Sequence, residues 1–121
     1  MLKELPLRDA VWLHQVKTLP CEICDACPCD PAHIREGVCK AGGKPADDLV
    51  VPLCRVHHNE QHNIGERNFW RIHFNRNDGL RRRVFDEYKV PMDGLAMMNG
   101  LKLYARNLYK AVKGKKHAGL S

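Results

Sequence analysis

A chain of 121 residues and 13.9 kDa, 44% hydrophobic, has room for one compact domain with appendages. It holds no apolar run near the roughly 20 residues of a bilayer-spanning helix, and charges run through Met1 to Pro20, so neither a membrane span nor a secretory leader is expected. The net charge of +6 is uneven: residues 1–65 carry 7 Lys+Arg against 9 Asp+Glu, and residues 66–121 carry 13 against 5. The basic half points to a polyanion, with DNA as the expected partner. An intracellular, cytoplasmic location follows, where C-x-x-C pairs mean metal or redox chemistry more often than disulfides.

Met1 to Leu19 reads as one helix, with Leu5, Trp12, Val16 and Leu19 near one face and Pro20 stopping the run. His14 on this helix reads as a surface residue. Pro20 to Pro31 is a Cys- and Pro-rich loop. Ala32 to Arg35 reads as a short strand and Glu36 to Asp48 as a long Gly-containing loop. Leu49 to Leu53 reads as a second strand, and Arg55 to about Asn63 as a helix closed by Gly65. The order strand, loop, strand, helix is a ββα unit.

From Glu66 onward the pattern is helical. Glu66 to Asn75 carries Phe69, Trp70 and Ile72. Asn77-Asp78-Gly79 reads as a turn, and Leu80 to Tyr88 as a short basic helix. Pro91-Met92-Asp93 breaks the pattern, with Asp93 a candidate cap. Leu95 to Val112 is the last long helix, weakened at its start by Gly94 and Gly100, and Gly114 to Ser121 is expected to fray. Leu101, Tyr104, Leu108 and Val112 recur at helical spacing, and the Leu95 to Val112 helix as a whole offers a route to a homodimer. The expected architecture is α+β, a small zinc-stapled ββα-metal core with flanking helices. Residues 1–20 form a helix packing on the core, 21–65 the core, and 66–121 a basic helical extension.

Cys21-x2-Cys24 and Cys54-x2-His57 are two knuckles about thirty residues apart, together a closed Cys3His set for structural zinc. The C-x2-C-x2-C-x-C run also lets Cys27 or Cys29 replace Cys24, and His58 stands beside His57 as an alternative. A small ββα unit needs such a staple, because two short strands and a helix bury too little apolar surface to order themselves. Cys39 is a further thiol outside the set.

His58 and His62 are four apart and stack on one helix face, where two imidazoles can grip one divalent ion. Pairing the strands aims His33 at that pair. The constellation suits phosphodiester hydrolysis, with Mg2+, Mn2+, Ni2+ or Zn2+ on His58 and His62 stabilising the leaving oxygen and His33 as general base. Asp48 is the expected acceptor for the other N–H of His33. Arg35, Lys40 and Lys44 are expected to hold flanking phosphates, as are Arg71, Arg76, Arg81, Arg82 and Arg83 on the helices.

The order C-x2-C, D-P-A-H-I-R, a Gly-rich loop with K-P-x-D, then V-P-L-C-x2-H-H-x3-H-x2-G resembles phage and prophage HNH nucleases. It is most similar to the group of the recombination-enhancement nuclease Ref and its uncharacterised relatives. The resemblance covers about Leu19 to Phe74. It implies a ββα-metal fold, a structural zinc, a catalytic divalent metal and DNA as substrate, in a host cytoplasm for a phage-encoded protein. It matches His33 to the general base, His58 and His62 to metal ligands, and places Asp48 nearest the orienting Asn. One position departs: the Asp or His that HNH motifs place before the base is Ala32 here. That leaves two His ligands, with Asp30 on the same strand face to reach through a water. The competing reading is a non-catalytic zinc module that binds nucleic acid.

Overall fold

The computed structural model describes residues 7–35, 45–85 and 94–118, the side chains of 114–118 excepted. Lys40, Lys44, Cys39, Asp93 and the start of the expected first helix lie outside the described residues. Among the described residues the chain is mixed α+β, with five helices around a two-stranded sheet.

The elements are α1 (Ala10–Val16), β1 (Asp30–His33), β2 (Val50–Leu53), α2 (Arg55–Ile64), α3 (Glu66–Arg76), α4 (Asp78–Phe85) and α5 (Gly94–Ala118). α1 begins later than the apolar spacing suggested, because Asp9 caps it: its carboxylate accepts the Trp12 backbone N–H at 3.0 Å. β1 and β2 pair antiparallel, Asp30 opposite Leu53 and His33 opposite Val50. β1 therefore starts two residues before the expected Ala32. Pro31 does not interrupt it, because it lies opposite Pro52 at the edge of a narrow ribbon.

Gly65 has φ +88, a value that favours glycine, and this lets α2 stop and α3 start with no linker between them. The expected turn over Asn77-Asp78-Gly79 is a helix start instead. The Asn77 carboxamide accepts the Leu80 N–H at 3.0 Å, and Asp78 sits in the first turn of α4. α5 continues through Gly114 to Ala118, past the expected end at Val112. No described helix is long and apolar enough to cross a membrane.

Apolar residues pack on both faces of the ribbon. One face carries the larger core of Ala32, Ile34, Val51 and Leu53 with Phe69, Trp70, Phe74, Leu80, Phe85, Met97 and Leu101. Val50 faces the other way, onto Trp12 and Val16 of α1 and onto Leu108, Tyr109 and Val112. α5 thus serves both clusters. The apolar stripe of α5 lies on the chain's own clusters, Leu101 buried in one and Tyr104, Leu108 and Val112 partly buried against them. Gly100 is also more than a weak helix former, since an added Cβ there would overlap the buried ring of Phe85.

A buried polar link ties the first knuckle to the helices. Glu22 accepts Tyr104 Oη–H at 2.7 Å and Arg83 Nε–H at 3.0 Å, while Arg83 Nη2 donates to the Glu22 carbonyl at 2.7 Å. Burial raises the Glu22 carboxyl above its ordinary value, and Tyr104 and Arg83 pull it back.

Two stability measurements follow. Gly100→Ala adds helix propensity worth about 1 kcal/mol, yet overpacking against Phe85 is expected to lower net stability by about 1–2 kcal/mol. A raised urea midpoint would show that the ring can move aside. Arg83→Ala is expected to cost about 1–3 kcal/mol by stranding Glu22, whereas Arg82→Ala stays within about 0.5 kcal/mol. Equal midpoints for these two variants would remove the structural role of Arg83.

Candidate metal centre

Cys54 is the N-cap of α2 and His57 lies one turn in, so helix geometry alone brings their side chains together. Opposite them the chain folds back on itself at Cys21–Ala26. The Cys21 N–H donates to the Ala26 carbonyl at 2.9 Å, the Asp25 N–H donates to the Cys21 carbonyl at 2.9 Å, and Asp25 takes φ +64 to close the turn. The Glu22 N–H also donates to the Pro52 carbonyl at 3.0 Å, which docks this turn on β2.

The result is a four-residue cluster. Cys24 Sγ and Cys54 Sγ are 3.8 Å apart, Cys54 Sγ and His57 Nδ1 3.3 Å, and Cys21 Sγ and His57 Nδ1 3.7 Å. All four donor atoms lie within 4.8 Å of one another. Two thiolates at roughly 2.3 Å from a tetrahedral zinc sit roughly 3.8 Å apart, so Cys21, Cys24, Cys54 and His57 could hold a metal such as zinc. The alternatives left open by the spacing are resolved here. Cys29 is buried, donates to the Ala26 carbonyl at 3.2 Å, and is pushed up to about 12 by burial and the neighbouring cysteines. Cys27 turns away to the Leu19 carbonyl at 3.5 Å.

Cys54 is the opposite case. Burial would raise its thiol, but the backbone and ring of His57 hold it down to about 7. Cys24 moves upward: the Ala26 backbone lowers it, but burial and its neighbours Cys21 and Cys54 raise it more. A metal binds the deprotonated thiolates, so binding at this cluster would release protons. Behind His57, His73 Nε2 meets Glu60 Oε1 at 2.6 Å, and the rings of His57 and His73 pack edge to face with centroids 5.5 Å apart. Donor atoms of His57, Glu60 and His73 also lie within 4.8 Å of one another. With His57 Nδ1 facing the cysteines, Glu60 and His73 are placed to support that ring. Sequence spacing gave no hint of this, because His73 comes from α3.

His58 and His62 do meet, Nε2 to Nε2 at 3.2 Å on one face of α2. The strand residue beside them is Asp30, whose Oδ2 lies 3.0 Å from His58 Nδ1 and 2.9 Å from Arg55 Nε. Arg55, and then His58, hold the Asp30 carboxyl below its ordinary range. His33 does not join this group. Alternation along β1 sends Asp30 and Ala32 to one face and His33 to the other, where His33 Nε2 meets Asp47 Oδ1 at 3.0 Å. The carboxylate on His33 is therefore that of Asp47, not the expected Asp48, which lies near Tyr109. Asp47 is buried and tied into α1's entry, accepting the Asp9 N–H at 2.8 Å. Burial would raise it, but the Asp9 N–H and His33 hold it low.

The expected phosphate contacts divide. Arg83 is engaged by Glu22, Arg81 pairs with Asp78 at 3.1 Å, and Arg71 donates to Asn68 at 3.0 Å. Arg76 and Arg82 are exposed on α3 and α4. Arg35 lines an open cleft of about 300 Å³ with Gln61, His62, Gly65 and Glu66, and its backbone N–H donates to Glu66 Oε1 at 2.7 Å.

These features define a small mixed α+β protein with a Cys3His cluster of metal-binding geometry. The chain belongs to the family described as "Protein of unknown function (DUF968)", whose profile matches residues 3–87, well over half of its length. It is similar to "Uncharacterized protein YdfU" of Escherichia coli (strain K12), 50% identical over 48 residues. That stretch is 39% of this chain and 14% of the relative, so the chain spans a small part of that protein. No solved structure matches.

Purified protein is expected to carry one zinc per chain in the Cys3His cluster. Cys54→Ser should lose it and unfold the 21–65 region, because structural zinc supplies on the order of 10 kcal/mol. Elemental analysis and amide exchange check both points, and a folded Cys54→Ser protein with its zinc intact would disprove the ligand set.

Proposed function

We propose that the chain is a metal-dependent DNA endonuclease or nickase of HNH type. The observation that carries this reading is the His58–His62 pair, two Nε2 atoms 3.2 Å apart on the helix of a β1–β2–α2 unit. Nitrogens roughly 2.0–2.1 Å from one ion at a near-tetrahedral angle sit roughly 3.3 Å apart, so the pair fits a divalent cation. When bound, that ion supplies charge to a phosphate oxygen and to the leaving oxygen.

The chain's own residues supply the rest. Asp47 on Nε2 keeps the proton there and leaves the Nδ1 lone pair of His33 to accept a proton from water. Among the described residues β1 pairs only with β2, so its other edge is unpaired. Arg35 beside the cleft, and Arg76 and Arg82 on the helices, are placed to contact flanking phosphates. The Cys3His zinc holds the start of α2, and with it the pair, in position.

A second reading is a zinc-stabilised nucleic-acid-binding module built on a degenerate HNH scaffold. It is favoured by Ala32, which offers no ligand, and by His33 facing Asp47 on the opposite ribbon face from His58.

Nicking of supercoiled plasmid with Mg2+, Mn2+, Ni2+ or Zn2+ separates the readings. His33→Ala is expected to cut roughly 10²–10⁴-fold more slowly, with zinc content and DNA affinity unchanged. His62→Ala should be partly rescued by excess metal. Equal cutting by wild type and His33→Ala, or no cutting with any of the four ions, replaces the nuclease with the binding module.

A further inference from the structure

The divalent site on His58 and His62, taken from the reading above, lacks a third protein ligand on β1, since Ala32 is buried and carries no donor. Asp30 is the carboxylate on the same strand face. Its position, however, is not that of a ligand. Asp30 Oδ2 lies 3.0 Å from His58 Nδ1, whereas the nitrogen turned toward His62 is Nε2, on the other edge of the ring.

A carboxylate at Nδ1 accepts the Nδ1–H. That leaves the Nε2 lone pair free and aimed at the space beside His62 Nε2. It also locks the rotation of the imidazole. Asp30 is itself held in place by Arg55, through Nε to Oδ2 at 2.9 Å and Nη2 to Oδ1 at 3.3 Å. Arg55 is the first residue of α2 and His58 lies three residues on, so both contacts to Asp30 come from one helical turn. With Arg55 and His58 both engaged, the carboxylate faces the guanidinium and His58 Nδ1 and not the space between the two Nε2 atoms.

We infer that Asp30 is the positioning residue of the divalent-metal site, fixing His58 as an Nε2 donor, and that Arg55 latches it there. The protein then contributes two ligands of fixed orientation in place of three. The remaining coordination positions stay open to water and to a phosphate oxygen entering by the cleft that His62 shares with Arg35 and Glu66.

The test uses the full chain with its Cys3His cluster loaded with zinc. Ni2+ is titrated calorimetrically into wild type, Asp30→Ala, Asp30→Glu and Arg55→Gln, and ¹⁵N spectra of the histidine rings report the His58 tautomer without added metal. Asp30→Ala is expected to weaken Ni2+ binding 10–100-fold and to shift His58 away from the Nδ1–H form, with one zinc per chain retained. Asp30→Glu should restore part of both, and Arg55→Gln should cause a smaller loss. The assignment is overturned if Asp30→Ala binds Ni2+ as wild type does, if wild-type His58 is the Nε2–H tautomer, or if wild type takes no second ion. It is equally overturned if absorption spectra with Co2+ in the second site show that Asp30→Ala removes a coordinated oxygen. If the second ion binds as described but plasmid stays intact with every ion, the nuclease reading fails and the Asp30 assignment stands.

Discussion

The passage from β2 into α2 is the constraint on which the rest depends. Leu53 ends the strand in the core, and the next residue, Cys54, is both the cap of α2 and a member of the Cys3His cluster. Helix geometry then fixes His57 beside Cys54, His58 toward Asp30, and His62 beside His58. One helix end thus sets two neighbouring groups of donors with different surroundings. The first is closed by three sulfurs, the second open toward a cleft. Closed sites suit folding and open ones suit exchange of ligands.

A ribbon of two four-residue strands cannot bury enough surface to be stable alone. α5 compensates by lying across both apolar clusters, with Leu101 and Ala105 on one and Leu108 and Val112 on the other. Polar links reinforce the same contacts. Glu22 joins the knuckle turn to Arg83 and Tyr104, and Asp9 joins the start of α1 to Tyr109 and Lys113. Part of the basic surplus in the second half of the chain is therefore internal. The charge available for a polyanion is smaller than composition suggests, and includes the exposed Arg76 and Arg82.

The opposite faces of β1 carry two carboxylate–histidine pairs, Asp30 with His58 and Asp47 with His33. Each carboxylate has a second partner from outside the ribbon, Arg55 for Asp30 and the Asp9 N–H for Asp47. Each imidazole therefore has one ring nitrogen held against a carboxylate.

The sequence alone determined what short-range geometry controls. Spacings of three and four within one helix placed Cys54 with His57 and His58 with His62, and alternation of two along β1 placed Asp30 and Ala32 on one face. It also gave the ββα order and the break at Gly65, because each depends on neighbours a few residues apart. Only the tertiary structure decided which donors arrive from elsewhere. The choice of Cys24 over Cys27 and Cys29 depends on how the knuckle turn docks on β2. The choice of Asp47 over Asp48 depends on a turn whose parity no periodicity carries, and on the Asp9 N–H that anchors it. Arg83, one of three adjacent arginines, is distinguished by Glu22, sixty-one residues away. Contacts at that separation are set by how the helices pack, and local patterns in a sequence do not encode them.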